Sequence, residues 1–353
     1  MRVVVGLSGG VDSAVAALLL KEKREEVVGI ALRLYDEEGS RGCCGSEALT
    51  GARRVALALG IPFYVQDVRE EFDKQIIYQF CNEYSQGRTP NPCIRCNELI
   101  KFPLLRQAAE KLGAQFIATG HHARIKRDKD GQYHLLKGLD PQKDQSYFLY
   151  RLTQEQLGNL LFPVGDLTKS EVRQKARNFS LPNAEREESQ EICFIPDNDY
   201  AAFIRQRYPE LFQPGPVYDT SGKILGEHAG IANFTIGQRK GLKIAFGERR
   251  YVLKIVPKEN AIVIGSEDEV YQTQVWANNC HWIAGAPPAG KLRVWAKVRS
   301  QGPGSFALIQ PLPEDRIYVK FEQPQWAPTP GQAIVFWQGD EVLGGATIEQ
   351  SEK

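Results

Sequence analysis

A chain of 353 residues exceeds one ordinary core and has room for two or three domains, each with a sizeable apolar interior. Lysine and arginine number 44 against 43 acidic residues, and a net charge of +1 neither demands nor excludes a polyanionic partner. Seven cysteines in so long a chain do not read as a disulfide framework, no run has the roughly eighteen apolar residues of a membrane helix, and no leader-like pattern precedes Arg2, so the cytoplasm is the expected compartment and no membrane partner is expected.

The first third alternates short β-branched runs with helical patterns, as in a parallel sheet with crossover helices, an α/β arrangement. RVVVG at 2–6 reads as a strand, 13–23 as a helix, VVGIALRL at 27–34 as a second strand, 48–59 as a helix and PFYVQDV at 62–68 as a third strand. A helix is expected over 70–84. Beyond a Pro-rich loop, Phe102, Leu105, Ala109 and Leu112 share one helical face that Gly113 closes, and QFIATG at 115–120 reads as another strand. Helical patterns then continue to about Tyr208, at 154–161, 170–179 and 200–208. After QPGPV at 213–217 the composition turns to glycine, proline and short alternating segments, and a second break falls at 267–274. The expected organisation is an α/β nucleotide domain over 1–197, a small central domain over 198–267 and a β-barrel-like domain over 268–353.

Directly after the first strand, Gly6-Leu7-Ser8-Gly9-Gly10-Val11-Asp12-Ser13 runs into a helix. The glycines bring backbone N–H groups against an anion, Ser8 and Ser13 add hydroxyls, and the helix N-terminus adds positive potential, which together make a phosphate cradle. It has neither GxxxxGK[ST] nor GxGxxG spacing. It is similar to the SGGxDS loop of the ATP pyrophosphatase family, which implies ATP and AMP-forming chemistry. In such sheets ligands sit beyond the carboxyl ends of the strands, so Leu32 is a candidate to offer backbone groups to adenine and Gly120 a close approach to the nucleotide; a plain core role for Leu32 is the alternative.

Cys93 and Cys96 lie in GRTPNPCIRCNELIKF, whose loop is stiffened by Pro90 and Pro92 and feeds a helix expected to start near Asn97. A helix N-terminus, Arg95 and Lys101 would all favour a thiolate at Cys96. Cys193 stands about a hundred residues on, in SQEICFI, and only folding can bring it to Cys96. Such a pair would be catalytic rather than structural in a reducing compartment. The alternative is a metal: Cys93 and Cys96 supply two ligands, and Cys193 or the Cys43-Cys44 pair would supply more, for an iron-sulfur cluster or zinc. Cys81 and Cys280 read as buried small apolar residues.

Bases without acids over 279–300 (Lys291, Arg293, Lys297, Arg299), accompanied by Trp282 and Trp295, and a second cluster at Arg239, Lys240, Lys243, Arg249, Arg250 and Lys254, suit a polyanion or a solvated strand face equally.

SGGVDS, GRTPNPCIRCN, ATGHHAR, KDQSYFL, SQEICFI and TIGQRKGL, in this order, resemble the tRNA-specific 2-thiouridylase family over nearly the whole chain. The resemblance implies that ATP on Gly6 to Ser13 adenylates the carbon-2 oxygen of a wobble uridine, with Asp12 and Mg2+ steadying pyrophosphate. It implies that Cys193 carries a persulfide loaded by a cysteine desulfurase or sulfur-relay protein, and that Cys96 is the nucleophile that ends in a disulfide with it. The tRNA contacts it implies are His121, Lys143, Asp144, Gln145, Arg299, Ser300 and Gln332. One departure stands out: some members have aspartate where this chain has Cys93, which weakens a general base there and leaves the iron-sulfur route open. A nucleotide-binding module whose cysteines only sense redox state is the rival from another class.

Overall fold

The computed structural model describes residues 1–35, 46–187, 192–195, 199–242 and 249–353. Cys43, Cys44, Lys243 and the boundary expected at 197 lie outside the described residues.

Three consecutive valines form the centre of the N-terminal sheet. In β1 (Arg2–Gly6) Val3, Val4 and Val5 are fully buried, as expected of a parallel strand covered on both faces. Val4 packs with Phe102 and Leu105 on one side, while Val3 and Val5 pack with Val15 and Val172 on the other. β2 (Glu26–Arg33), β3 (Phe63–Asp67), β4 (Phe116–Ala118) and β7 (Leu160–Leu161) join β1 in the order β3-β2-β1-β4-β7, with every pairing parallel. The order reverses direction between β1 and β4, so the loops after these two strands diverge and leave a crevice at their carboxyl ends. The stretch 154–161 departs from expectation. The helix stops at Gly158 and Leu160–Leu161 becomes the edge strand, because the two leucines pair with Ile117 and Ala118.

A second departure lies in 123–137, where no strand was expected. β5 (Ala123–Arg127) and β6 (Tyr133–Lys137) form an antiparallel hairpin. That hairpin leaves the N-terminal sheet and joins the C-terminal one through Leu136 opposite Glu341. The C-terminal sheet closes on itself: Tyr271–Trp282 pairs with both Arg316–Trp326 and Glu341–Glu352, giving the barrel that the short, evenly spaced strands suggest. Between the two, Gly215–Tyr218, Ile224–His228, Tyr251–Val256 and Ala261–Gly265 make a four-stranded sheet over its own apolar core.

The hairpin–barrel seam combines an apolar contact, Leu135 in one cluster with Trp337 and Val342, and an ionic cluster on His134. His134 Nδ1 lies 2.6 Å from Glu341 Oε1 and its Nε2 lies 3.0 Å from Asp128 Oδ2. The Glu341 hydrogen bond first, then that of Asp128, raises the imidazole above its ordinary value of 6.5. A raised folded-state value means that the ionic cluster's contribution is complete below the ordinary value and is lost as pH rises through the raised one. As pH rises from the ordinary value of 6.5 through the raised one, melting temperature is therefore expected to fall more steeply in the parent than in His134→Gln; parallel curves would refute this.

Candidate functional site

The glycine-serine loop leaves β1 at Gly6 and enters helix α1 (Val11–Glu22) through Gly10, which caps the helix without any side-chain bond. The first-turn N–H groups are thus left to an anion. Ser13 Oγ donates to Gly10 O at 3.0 Å and accepts from Ser8 N–H at 3.2 Å, which draws the loop into a ring. Facing it is a cavity of about 300 Å3 lined by Gly6, Leu7, Ser8, Gly10, Val11, Asp12 and Ser13 on one side and by Ile30, Leu32 and Leu34 on the other. Apolar strand ends opposite a phosphate cradle are the division an adenine nucleotide requires. Leu32 does line the cavity, yet it also packs into two apolar clusters.

Gly120 completes the crevice. A methyl group there would lie 2.5 Å from both the backbone carbon of Asp12 and the nitrogen of Ser13, so any side chain drives the β4 end away from the first turn of α1. Gly120→Ala is expected to weaken ATP binding at least about tenfold, measured calorimetrically; parent-like affinity would refute the close approach.

Asp12 has different partners from those expected of a metal ligand. Lys169 Nζ lies 2.7 and 2.8 Å from its two oxygens, and His122 Nε2 lies 3.1 Å from Oδ1. Burial pushes the Asp12 carboxyl up, but the His122 hydrogen bond and the Lys169 charge outweigh it and hold the group below its ordinary value. With both oxygens on the Lys169 ammonium and His122 beside one of them, Asp12 does not fit a Mg2+ ligand. Sequence reasoning missed Lys169 altogether. Its signal was only a lysine at a helix start after Thr168, with nothing to tie it to a residue 157 positions earlier.

The helix after the Pro-rich loop starts earlier than expected. It begins at Pro92, capped by Asn91, whose side chain accepts from Ile94 N–H at 3.3 Å. Proline suits the first helical position and asparagine the cap. The first turn therefore holds Cys93, and Cys96 ends the α segment, buried at 5% exposure. A π segment follows over Asn97–Lys101, in which i→i+5 bonding sets residues five apart on adjacent turns. Lys101, five residues after Cys96, lines the nucleotide cavity.

Cys96 belongs to, and Cys193 packs against, one apolar cluster that also holds Phe80, Ile100 and Phe194. Fold, not sequence proximity, unites the two segments. Cys81 is buried as expected, whereas Cys280 is only half-buried; burial pushes the Cys81 thiol up to about 11 and the Cys280 thiol up to about 12, which keeps both protonated. Among the described residues no three of His, Cys, Asp and Glu stand together as a metal site. Cys93, Cys96 and Cys193 are accordingly not drawn into one three-ligand group in this structure.

The residues with expected tRNA contacts divide between two places. His121 and Gln145 line the nucleotide cavity; His121 Nδ1 is 2.8 Å from Thr119 Oγ1, and Gln145 Oε1 accepts from His122 N–H at 2.9 Å. Asp144 is occupied by a turn, accepting from the N–H groups of Gly138 and Ser146, each at 3.0 Å. Lys143 is half-buried on the same turn, where its N–H donates to Asp140 O. Arg299, Ser300 and Gln332 instead line a second cavity, of about 610 Å3, with Asn91, Cys93 and Ile192. One nitrogen of Arg299 lies 2.9 Å from Ala327 O and 3.2 Å from Thr329 Oγ1. The basic stretch 279–300 is likewise no uniform face, since Arg293 pairs with Glu322 at 2.6 Å and Lys297 Nζ donates to Ser300 O at 2.6 Å. Trp282 stacks on Phe336, and Trp295 meets Phe306 edge-on.

Arg151 fastens the Cys96 helix to the barrel, bonding Glu98 at 2.8 Å and the Asn279 carbonyl at 3.0 Å. Asn97, buried, donates to Phe148 O at 3.1 Å. No described helix is long and apolar enough to cross a membrane.

Three family models match in tandem: a tRNA methyl transferase HUP domain over 1–197, a tRNA methyl transferase PRC-barrel domain over 201–266 and an aminomethyltransferase beta-barrel domain over 272–348. A tRNA-specific 2-thiouridylase of Geotalea uraniireducens is 48% identical over 99% of this chain and 95% of its own. Another, of Moorella thermoacetica, is 46% identical over 98% of this chain and 99% of its own. Among solved structures, a 4-thiouridine synthetase in complex with RNA and ATP is similar at a TM-score of 0.37 and 17% identity, over 59% of this chain and 50% of that one, too distant to bear on the site. Near-complete coverage at almost half identity, joined to the domain match over 1–197, makes this chain a member of the tRNA-specific 2-thiouridylase family.

Proposed function

We propose that the chain uses ATP to activate carbon 2 of a tRNA wobble uridine and replaces its oxygen with sulfur carried on cysteine. The observation that carries the reading is the convergence of Cys96 and Cys193 on one apolar cluster beside the nucleotide cavity. In the first step the carbonyl oxygen bonds to the α-phosphorus of ATP and pyrophosphate departs along the glycine-serine loop, whose N–H groups offset its charge. The terminal sulfur of a Cys193 persulfide then attacks carbon 2, and AMP leaves with the oxygen. Cys96, as thiolate, attacks the inner sulfur of Cys193; the S–S bond breaks, sulfur stays on carbon 2, and a Cys96-Cys193 disulfide remains. A thiol reductant must reopen it, and a cysteine desulfurase or sulfur-relay protein must reload Cys193, all in the cytoplasm. Any Mg2+ would arrive on the triphosphate rather than on Asp12.

The base would enter by the second cavity, where Arg299, Ser300 and Gln332 face the Pro90–Cys93 turn, after leaving its stack. Lys143 is assigned to the phosphate backbone, which predicts salt-sensitive affinity. Incubating the chain with ATP, a desulfurase, a thiol reductant and unmodified tRNA is expected to yield 2-thiouridine by mass spectrometry. A methylated base, as the names of the domain models suggest, or no product, would overturn the proposal; redox sensing alone also predicts no product.

A further inference from the structure

We propose that Asn183 and Arg186 are positioning residues that give the glycine-serine loop its grip on pyrophosphate, by holding the Gly9 carbonyl on the side away from the nucleotide. The inference rests on reading the crevice as an ATP site.

Two side chains converge on a single backbone oxygen. Asn183 Nδ2 donates to Gly9 O at 3.0 Å and Arg186 Nη1 donates to it at 3.2 Å. Asn183 is only 6% exposed, and the segment bearing both is itself held, since Arg173 donates to the carbonyls of Ala184 and Arg186 at 3.2 and 3.3 Å. All of this lies behind the loop, where Gly9, Arg54, Asn183 and Arg186 line a separate cavity.

The consequence follows from peptide geometry. In a trans peptide the C=O and the next N–H point in opposite directions. A Gly9 carbonyl held backward sends the Gly10 N–H forward, where it donates a long bond of 3.4 Å to Ser8 Oγ at the nucleotide cavity, one that an incoming anion can replace. Both residues of this peptide are glycines, and Gly9 has φ +73 with no room for a side chain against the Ala48 carbonyl. A peptide between two glycines rotates at little steric cost. A half-turn would replace a donor aimed at pyrophosphate by a carbonyl oxygen, and repulsion would replace attraction. The loop's own bond to this peptide, from Gly10 N–H to Ser8 Oγ, is long at 3.4 Å, and the two shorter bonds on the Gly9 carbonyl reinforce it from outside. Arg186 also lines the nucleotide cavity itself, so its positive charge stands at the pyrophosphate end as well. Neither residue belongs to the loop motif.

The test is calorimetric and needs no turnover. The full chain is titrated with AMP, inorganic pyrophosphate and a non-hydrolysable ATP analogue, in the parent and in Asn183→Asp, Arg186→Ala and Arg186→Lys. Asn183→Asp and Arg186→Ala are expected to weaken the ATP analogue and pyrophosphate at least about tenfold and to leave AMP within about twofold, while Arg186→Lys recovers most of the loss. Unchanged affinity for the ATP analogue overturns the inference. So does an equal fall for AMP, the mark of general disruption. Should Asn183→Asp fail to melt cooperatively, Asn183→Ser, which removes the amide donor without adding charge, takes its place and is expected to show the same selective loss. A parent that binds no adenine nucleotide would overturn the ATP reading along with the brace, whereas a parent that binds both nucleotides with insensitive variants overturns the brace alone.

Discussion

Cys193→Ala and Cys96→Ala are each expected to lower tRNA thiolation at least about a thousandfold, with the double variant no worse than either single one. The reasoning is chemical. Without Cys193 there is no atom to carry transferable sulfur, and without Cys96 the S–S bond to carbon 2 has no internal nucleophile to break it. Residues that act as one unit lose their function together, so the losses do not add. Tight ATP binding should survive both changes, because neither cysteine lines the nucleotide cavity. Cys81→Ala is the informative control. Cys81 sits in the same apolar cluster at 1% exposure with its thiol pushed up to about 11, so its loss should cost a little stability and no chemistry. Thiolated tRNA counted by mass spectrometry at parent-like levels in either Cys96→Ala or Cys193→Ala would end the relay proposal.

Lys169→Met should be the most damaging change away from the cysteines. Lys169 keeps 10% of its side chain exposed and Asp12 keeps 28%. Removing the ammonium leaves a carboxylate in a largely dry place, with His122 as its remaining close partner. Breaking such a pair costs about 3 kcal/mol, measured as the denaturant stability of the N-terminal domain. Asp12 belongs to the first turn of α1, so the loss should also reach the phosphate loop and weaken ATP binding. Adding Asp12→Asn to Lys169→Met removes the stranded charge and should restore part of the stability, which separates an unpaired charge from a lost packing contact. The acid side offers a second check. In the parent the Asp12 carboxyl is held below its ordinary 3.8, so its contribution is present above that value and lost as pH falls through the lowered one. That acid-side loss should be smaller in Lys169→Met, where burial acts on Asp12 against the His122 hydrogen bond without the lysine. Identical acid-side profiles in parent and variant would show that the pair is inert.

The hairpin and the β7 edge show why local pattern alone was insufficient. Leu160 and Leu161 are apolar neighbours that suit the end of a helix or a two-residue strand, and only the free edge of β4 selects the strand. The segment 123–137 has strand alternation in RIK and YHLLK, but its partner edge, around Glu341, lies some two hundred residues on. The brace on Gly9 has the same character, since nothing in PNAER announces a carbonyl 174 positions away.

Much was already present in the order of residues. The strand, glycine-serine turn and helix at 2–22 depend on short-range sterics and on hydrogen bonds within a few residues, so the phosphate cradle could be read directly. The cysteine-bearing segments could be recognised as motifs. What only the tertiary structure decided was which distant groups meet: Lys169 and His122 on Asp12, Asn183 and Arg186 on Gly9, Cys193 on the cluster of Cys96, and Arg299 on a barrel carbonyl. The physical reason is that burial and long-range hydrogen bonding depend on which surfaces the sheets bring together, and no window of neighbouring residues contains that information.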